Sequence, residues 1–206
     1  RARGATEART PIAGLATIVL AGGASRRMGQ SKPHVVFDGE PLLARVARIA
    51  ARVSDDVVIV AQPGQELPAV TGARVVFDPI EGAGPLVGLL AGLRAANEAW
   101  VFVTTTDAPF VAPEVVARLA ALRGDEDAIV AGVRGKRHVL TALYRREPAL
   151  AMAESLVAAG ERRASLLAER LAARVVGEEE LLADPEVSRA DPELATFTNV
   201  NTPEEL

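Results

Sequence analysis

The residues best suited to chemistry lie in one short stretch near the start of the chain. Gly22 and Gly23 follow the apolar run 18–20, and the cations Arg27 and Lys32 come soon afterwards. Because consecutive glycines lack Cβ atoms, their backbone N–H groups can approach a ligand closely. Backbone donors followed by positive charge are suited to binding phosphate groups. The sequence therefore predicts a phosphate-binding loop at the end of its first strand.

The spacing of this loop excludes two common phosphate-binding motifs. Walker A requires Gly-Lys-Ser/Thr after its second glycine, whereas Gly29 is followed by Gln30. The dinucleotide fingerprint requires Gly-x-Gly-x-x-Gly, which residues 22–27 do not supply. The alternative interpretation is a plain turn followed by solvated arginines, and either feature alone would favour it.

Composition and charge limit the function classes. The 206 residues suffice for one domain with a full-sized core. An aromatic content of 3% and a net charge of −4 argue against nucleic-acid binding. Cysteine is absent, which excludes a disulfide framework and a thiolate nucleophile. No apolar run is long enough to cross a membrane, so we expect a cytoplasmic protein without membrane or nucleic-acid partners.

The pattern along the chain alternates between strands and helices. Residues 1–13 are expected to form a flexible N-terminal arm, and residues 14–206 a single domain. Apolar patterns predict strands at 18–20, 35–37, 57–60, 75–77, 100–103, 129–133, 140–144, 175–176 and 197–201, and helices at 42–53, 86–93, from 113, and within 150–171. The acidic residues 178–180 and the Asp- and Pro-rich stretch 184–192 are expected to be surface loop. This order predicts a three-layer α/β fold with a mostly parallel, Rossmann-like twisted sheet.

Polar residues follow three of the predicted strands. In open α/β sheets the ligand lies beyond the carboxyl ends of the strands. The residues concerned are Leu20 to Gly22, Asp78, and Asp107, and a parallel sheet would place them at one edge. Asp107 could hold Mg²⁺, which prefers oxygen ligands. The alternative for Asp78 and Asp107 is a turn-forming role before Pro79 and Pro109.

The loop at 20–32, Leu-Ala-Gly-Gly-x-x-x-Arg-Met-Gly-x-x-Lys, resembles the signature of the molybdenum cofactor guanylyltransferases, a family of nucleotidyltransferases. Two further segments match that family: Gly84-Pro85-Leu86, downstream of Asp78, and the closing run 197–206. The resemblance implies a nucleotide-diphospho-sugar transferase-like fold. It also implies a nucleotide half at about 14–133 and a second-substrate half at about 134–206.

The resemblance also implies roles for individual residues. The catalytic residues would be Arg27, Lys32 and Asp107, with Asp107 as the metal ligand. The implied nucleotide-binding residues are Leu20, Ala21, Gly22, Gly23, Lys32, Asp78, Gly84 and Asp107. Asn199 and Asn201 would meet the second substrate from one face of the last strand. His138, beside Lys136 and Arg137, is either a surface histidine or part of a site for a phosphorylated second substrate.

The implied activity is Mg²⁺-dependent transfer of GMP from GTP to the terminal phosphate of molybdopterin or the molybdenum cofactor, with release of pyrophosphate. Transient contact with other molybdenum cofactor proteins would follow. Two alternatives remain open: a relative that uses CTP or a phospholactate or sugar phosphate acceptor, and a non-catalytic GTP-binding module. Ser31 and Gln62 depart from the family pattern, where an acidic residue and an Asn are common, and this affects the expected fit of the substrates.

Overall fold

A computed structural model of the chain describes residues 10–22, 32–78 and 84–200. Its strands are β1 (Leu15–Leu20), β2 (Val36–Phe37), β3 (Glu40–Pro41), β4 (Asp56–Ala61), β5 (Arg74–Phe77), β6 (Trp100–Thr105), β7 (Ala128–Val133), β8 (Lys136–Arg145) and β9 (Ala173–Gly177). Its α-helices are α1 (Leu42–Val53), α2 (Pro85–Ala95), α3 (Pro113–Ala121), α4 (Arg146–Ala158), α5 (Ser165–Arg170), α6 (Glu178–Leu182) and α7 (Pro185–Ala190).

Seven strands form the central sheet, in the order β5-β4-β1-β6-β8-β7-β9. Six of them run parallel and β8 runs antiparallel to both of its neighbours. This confirms the predicted α/β architecture with a mostly parallel sheet. β1 is buried along its whole length, as expected for an apolar strand with neighbours on both sides and helices on both faces.

Helices cover both faces of the sheet, which gives the three predicted layers. On one face α2, α4 and α5 pack through an aliphatic cluster that includes Leu89 and Leu167. On the other face α1, α3, α6 and α7 pack through clusters that include Val46, Leu119 and Val187. The loops at the carboxyl ends of the parallel strands therefore emerge between two packed layers.

Residues 178–180 and the stretch 184–192 were expected to be surface loop, and this expectation is wrong. Residues 178–180 begin α6, and the stretch 184–192 contains α7, whose Val187 is fully buried. α7 begins because the Asp184 carboxylate accepts hydrogen bonds from the N–H groups of Glu186 and Val187, and Pro185 occupies the first helical position. The Asp-Pro pair therefore starts a helix here rather than a loop.

The strand predicted at 197–201 is also absent from the described part of this segment. Residues Ala195–Phe197 form a 3-10 helix, and residues 198–200 join no sheet. The reason is Asp191, a buried carboxylate that accepts hydrogen bonds from the N–H groups of Ala195 and Thr196, over 2.6 and 2.9 Å. These bonds bend the chain before it could extend along a neighbouring strand.

The start of the chain is described from residue 10. Thr10 and Ile12 donate backbone hydrogen bonds to the carbonyl groups of Arg52 and Val53 at the end of α1. The predicted arm lies outside the described residues as far as residue 9. Within the described ranges, no helix combines the length and the apolar character needed to span a membrane.

Helix α2 packs close to β1 at one of its two glycines, Gly92, and less closely at the other, Gly88. A Cβ atom built on Gly92 would lie 2.6 Å from Cγ2 of Ile18, whereas one built on Gly88 would have its nearest neighbour at 3.5 Å. Ile18 is fully buried in the central strand and, being β-branched, has little freedom to change rotamer. The approach of α2 to β1 therefore requires glycine at position 92 and allows alanine at position 88.

We expect Gly92→Ala to lower the free energy of unfolding by about 1–3 kcal/mol, the usual cost of overpacking. Gly88→Ala, one helical turn earlier, serves as the control and should leave stability unchanged or raise it by up to about 1 kcal/mol through helix propensity. Urea denaturation of both variants measures the difference. Equal midpoints for Gly92→Ala and the parent chain would contradict the close packing.

Candidate functional site

The ends of four adjacent strands form one edge of the sheet. β5, β4, β1 and β6 are neighbours in that order, so Asp78, Gln62, Gly22 and Asp107 follow one another along the edge. Backbone hydrogen bonds continue past the strands: Ala21 donates to Val60 over 2.8 Å, Asp78 to Ala61 over 2.8 Å, and Thr106 to Leu20 over 3.1 Å. The predicted convergence of these strand ends is therefore present in the fold.

Lys32 and Asp107 are in direct contact. The Lys32 Nζ atom lies 2.8 Å from Asp107 Oδ2, and their side chains are 16% and 29% exposed. Lys32 also donates to the Val200 carbonyl over 3.4 Å, while the Val200 N–H donates to the Asp107 carbonyl over 2.8 Å. Three distant parts of the chain thus meet at one ammonium group and one carboxylate, both open to a charged ligand.

The donor set around Asp107 fits a hard cation that brings most of its ligands with it. Among the described residues, no cluster of three or more His, Asp or Glu side chains could hold a metal ion. Mg²⁺ is commonly held by one or two carboxylates together with water and substrate phosphate. Asp107 can therefore serve as a protein ligand for such an ion, while a closed all-protein cage is not formed by the described residues.

Asp78 lies at the other end of this edge and faces α2. Its Oδ2 is 3.5 Å from the position that a Cβ on Gly88 would occupy. The side chains of Leu20 and Val60 lie 3.6 and 3.8 Å from the same position. Three strand spacings separate β5 from β6, which places the Asp78 and Asp107 backbones about 14 Å apart. The two carboxylates therefore cannot share one metal ion, and the predicted role of Asp78 toward a nucleotide stays a prediction.

Two glutamines shape the edge between these aspartates. A Cβ on Gly22 would lie 3.2 Å from the Gln62 side chain, so this side chain packs closely against the backbone of Gly22. Gln65 donates from Nε2 to the Ala21 carbonyl over 3.0 Å and accepts from the Gln62 N–H over 2.9 Å. Gln65 thereby ties the end of β1 to the end of β4, immediately before the glycine loop.

Gly84 is the N-cap residue of α2. Its φ of +90° is a conformation that favours glycine. A Cβ at this position would lie 3.0 Å from the Arg162 carbonyl oxygen, which also accepts the Leu86 N–H over 3.2 Å. The connection between α4 and α5 therefore covers this side of the α2 N-terminus. Gly84 is required for that close contact, and its predicted role toward a nucleotide stays a prediction.

The C-terminal segment reaches the site through its backbone. Thr196 accepts the Ala112 N–H over 2.9 Å, which fixes the segment beside the chain that follows Asp107. Asn199 is exposed next to the buried Val200. Asn201, like Gly23 and Arg27 of the predicted loop, lies outside the described residues.

Comparison with known proteins places the chain in a family. The MobA-like NTP transferase domain model matches residues 17–175. A protein of Mycolicibacterium paratuberculosis named probable molybdenum cofactor guanylyltransferase is 41% identical over 154 residues, which cover 72% of this chain and 77% of that protein. The chain belongs to the MobA-like NTP transferase family. Its chemistry is therefore nucleotidyl transfer.

Further MobA-like relatives agree with this assignment. A protein of the same name from Mycobacterium tuberculosis is 38% identical over 161 residues, 75% of this chain and 79% of that one. The crystal structure of molybdopterin-guanine dinucleotide biosynthesis protein A from Archaeoglobus fulgidus superposes with a TM-score of 0.73 at 26% identity, covering 92% and 94% of the two chains. A 2-C-methyl-D-erythritol 4-phosphate cytidylyltransferase from Thermus thermophilus shares the fold, with a TM-score of 0.66 at 19% identity, covering 91% and 93%.

In this MobA-like chain, His138 packs against another side chain near the site. Its ring centroid is 5.0 Å from that of Phe197, and Nε2 lies 3.2 Å from the Val133 carbonyl. Burial lowers the pKa of His138; the hydrogen bond to Val133 opposes this shift, and the charges of Arg134 and Lys136 add to it. The imidazole therefore anchors the C-terminal segment to β8 in its neutral form.

Sequence reasoning missed three contributors to the site of this MobA-like protein. These are the Val200 backbone, the amide of Gln65 and the Arg162 carbonyl. Only Gln65 carried a signal, since an amide side chain just after the Pro63-Gly64 turn is well placed to bond strand-end backbone. The other two act through peptide groups, which every residue type has.

Because the folded chain disfavours the His138 imidazolium, the unfolded state binds more protons between the lowered pKa and 6.5. Stability should therefore fall as the pH is lowered through this window. We expect the pH dependence of the unfolding midpoint between pH 8 and 5 to be weaker in His138→Gln. Urea titrations at each pH measure it, with His34→Gln as the control for loss of an imidazole elsewhere. Parallel profiles for His138→Gln and the parent would refute the assignment.

Proposed function

We propose that this chain transfers GMP from GTP to the terminal phosphate of molybdopterin, with Mg²⁺ as the cofactor and pyrophosphate as the second product. The observation that carries the proposal is the contact between Lys32 and Asp107 at the sheet edge that also includes Gly22. The names of the relatives support the choice of guanine nucleotide and acceptor. Members of this nucleotidyltransferase class generally use a divalent metal.

In the proposed reaction, an oxygen of the acceptor phosphate attacks the α-phosphorus of GTP. A new P–O bond forms, and the bond from the α-phosphorus to the bridging oxygen breaks, so that the electron pair leaves with pyrophosphate. The attacking phosphate is already ionised at neutral pH, so no strong base is needed. Catalysis then consists of positioning and of neutralising charge.

The residues along this edge of the sheet would each act on a different part of the substrates, according to their position. Lys32 would turn from Asp107 toward the phosphates and offset their negative charge. Bound by Asp107 and the triphosphate, Mg²⁺ would supply positive charge where negative charge develops. The distance of about 14 Å between Asp78 and Asp107 suits a nucleotide whose nucleoside lies toward Asp78 and whose phosphates lie toward Asp107. Leu20 to Gly22 would bind the nucleotide by backbone groups between them, and Asn199 and His138 would face the acceptor.

We expect Asp107→Asn to lower pyrophosphate release from GTP and molybdopterin by at least about 100-fold, because the metal would lose its charged protein ligand. The unfolding midpoint should change little, since partly exposed ion pairs contribute about 0–1 kcal/mol. Glu154→Gln breaks another exposed ion pair, to Arg94 at 2.9 Å, and is the matched control.

Unchanged turnover in Asp107→Asn would refute the metal assignment. Pyrophosphate release by the parent chain with CTP in place of GTP would refute the guanine specificity and leave nucleotidyl transfer intact. GTP binding without release of pyrophosphate, with molybdopterin present, would favour a non-catalytic binding module.

A second variant tests whether Lys32 and a metal compete for Asp107. In the structure the ammonium group takes the place next to Oδ2 where a cation would bind. We expect Lys32→Met to bind Mn²⁺ more tightly than the parent in the absence of nucleotide, and GTP more weakly, on the order of tenfold each. Electron paramagnetic resonance of Mn²⁺ and calorimetry of GTP measure the two effects.

Lys136→Met, which removes an exposed lysine of β8, is the control for the change of net charge. Identical Mn²⁺ affinities for Lys32→Met and the parent chain would show that Lys32 does not compete for the carboxylate.

A further inference from the structure

The turn that carries Asp107 forms few backbone hydrogen bonds within itself after the chain leaves the sheet. Ala108 donates to the Thr105 carbonyl over 3.1 Å, but Pro109 has no N–H to donate. α3 begins only at Pro113. The limb 109–112 must therefore be held by groups from other parts of the fold.

Thr196 holds this limb on one side, through the Ala112 N–H and the Phe110 carbonyl, and Arg45 of α1 holds it through Pro109. Its Nε–H donates to the Pro109 carbonyl over 3.0 Å, and its guanidinium carbon lies 4.9 Å from the centroid of the Phe37 ring. Phe37 in turn meets Phe110 edge to face, with centroids 5.7 Å apart. One side chain thus joins α1, β2 and the limb that follows Asp107.

The strand β2 is close in the chain to Lys32. A 3-10 helix, Lys32–His34, ends one residue before it. The intervening residue, Val35, donates to the Lys32 carbonyl over 3.1 Å. Leu42, the first residue of α1, donates to the Val35 carbonyl over 2.8 Å. The segment that presents Lys32 is therefore fixed to the same helix that presents Arg45.

We infer that Arg45 is a positioning residue that sets the separation of the Lys32 ammonium and the Asp107 carboxylate. It acts through the Pro109 carbonyl and the Phe37 ring rather than through contact with the nucleotide. The inference rests on the proposed function, because the separation matters where the two groups share a metal-bound triphosphate. A guanidinium is suited to this task, since its plane stacks on an aromatic ring while its Nε–H remains free to donate.

The test compares three variants of the full chain. Arg45→Met keeps the length and the apolar stem but removes the donor and the charge. Arg45→Lys keeps the charge but lacks the planar group. Arg48→Met is the matched control, because Arg48 lies on the same helix and binds Glu40 of β3 over 3.0 and 3.2 Å, which tethers the β2–β3 hairpin without contacting Pro109.

The readout is the affinity for Mn²⁺ in the presence of GTP and without acceptor, measured by electron paramagnetic resonance. We expect Arg45→Met to weaken it on the order of tenfold and to lower kcat, because small displacements of reacting groups are costly. Arg45→Lys should lose a similar amount, and Arg48→Met should match the parent. Parent-like affinity in folded Arg45→Met or Arg45→Lys would overturn the inference, as would an equal loss in Arg48→Met.

Hydrogen exchange separates this outcome from failure of the proposed function. The Ala112 amide, which donates to Thr196 Oγ1 over 2.9 Å, should exchange on the order of tenfold faster in Arg45→Met than in Arg48→Met, because the limb that carries it opens more often once the Arg45 anchor is lost. If the parent chain bound no Mn²⁺ with GTP, the proposed function would fail while the exchange rates still reported on the anchor. Unchanged exchange in Arg45→Met would overturn the positioning role itself.

Discussion

The structure depends on the parallel pairing of β1 with both β4 and β6. In the register, Leu20 lies opposite Val60 on one side and Thr105 on the other, so the three strands end within one residue of the same level. This level is kept only while the register is fixed. The close fit of Ile18 against Gly92 of α2 restricts the register, since a shift of β1 by one residue would turn Ile18 to the opposite face. The proximity of Lys32 and Asp107 is a consequence of this register.

Most of the fold could be predicted because its determinants are local patterns. The apolar run of β1, the helical repeat of α1 and the Pro113 start of α3 each specify an element from a few residues. The order of these elements then specifies a parallel sheet, and a parallel sheet brings Gly22 and Asp107 to one edge. None of these determinants involves a contact between distant side chains, so a local pattern is enough to specify each of them.

The predictions that failed concern segments in which a carboxylate side chain accepts hydrogen bonds from nearby backbone N–H groups. The segment 197–200 has the alternation of a strand, but the Asp191 carboxylate takes the N–H groups of Ala195 and Thr196 and turns the chain first. Similarly, the proline and acidic residues near 185 favoured a loop. Asp184 and Pro185 instead start a helix, whose Val187 is buried in the core. The competing carboxylates are close in sequence, but whether each one bonds to these N–H groups depends on the packing of the folded chain.

The site contacts were even less accessible from sequence, because several of them use peptide groups. The Lys32 ammonium bonds to the carbonyl of Val200, and Gln65 bonds to the carbonyl of Ala21. Any residue at 200 or 21 would offer the same acceptor, so the residue type carries no information about the contact. What selects these positions is the path of the backbone, and this path is a property of the assembled sheet.

The reversed strand β8 has a consequence for how the C-terminal segment is supported. Ten residues long, it pairs with β6 at Ala142–Arg145, and its first residues continue beyond the end of β6 as a hairpin with β7. His138 in this overhang packs against Phe197, close in the chain to the Val200 carbonyl that accepts from Lys32. The backbone group that meets the Lys32 ammonium is therefore carried by a hydrogen-bonded hairpin, so its position follows that of the sheet.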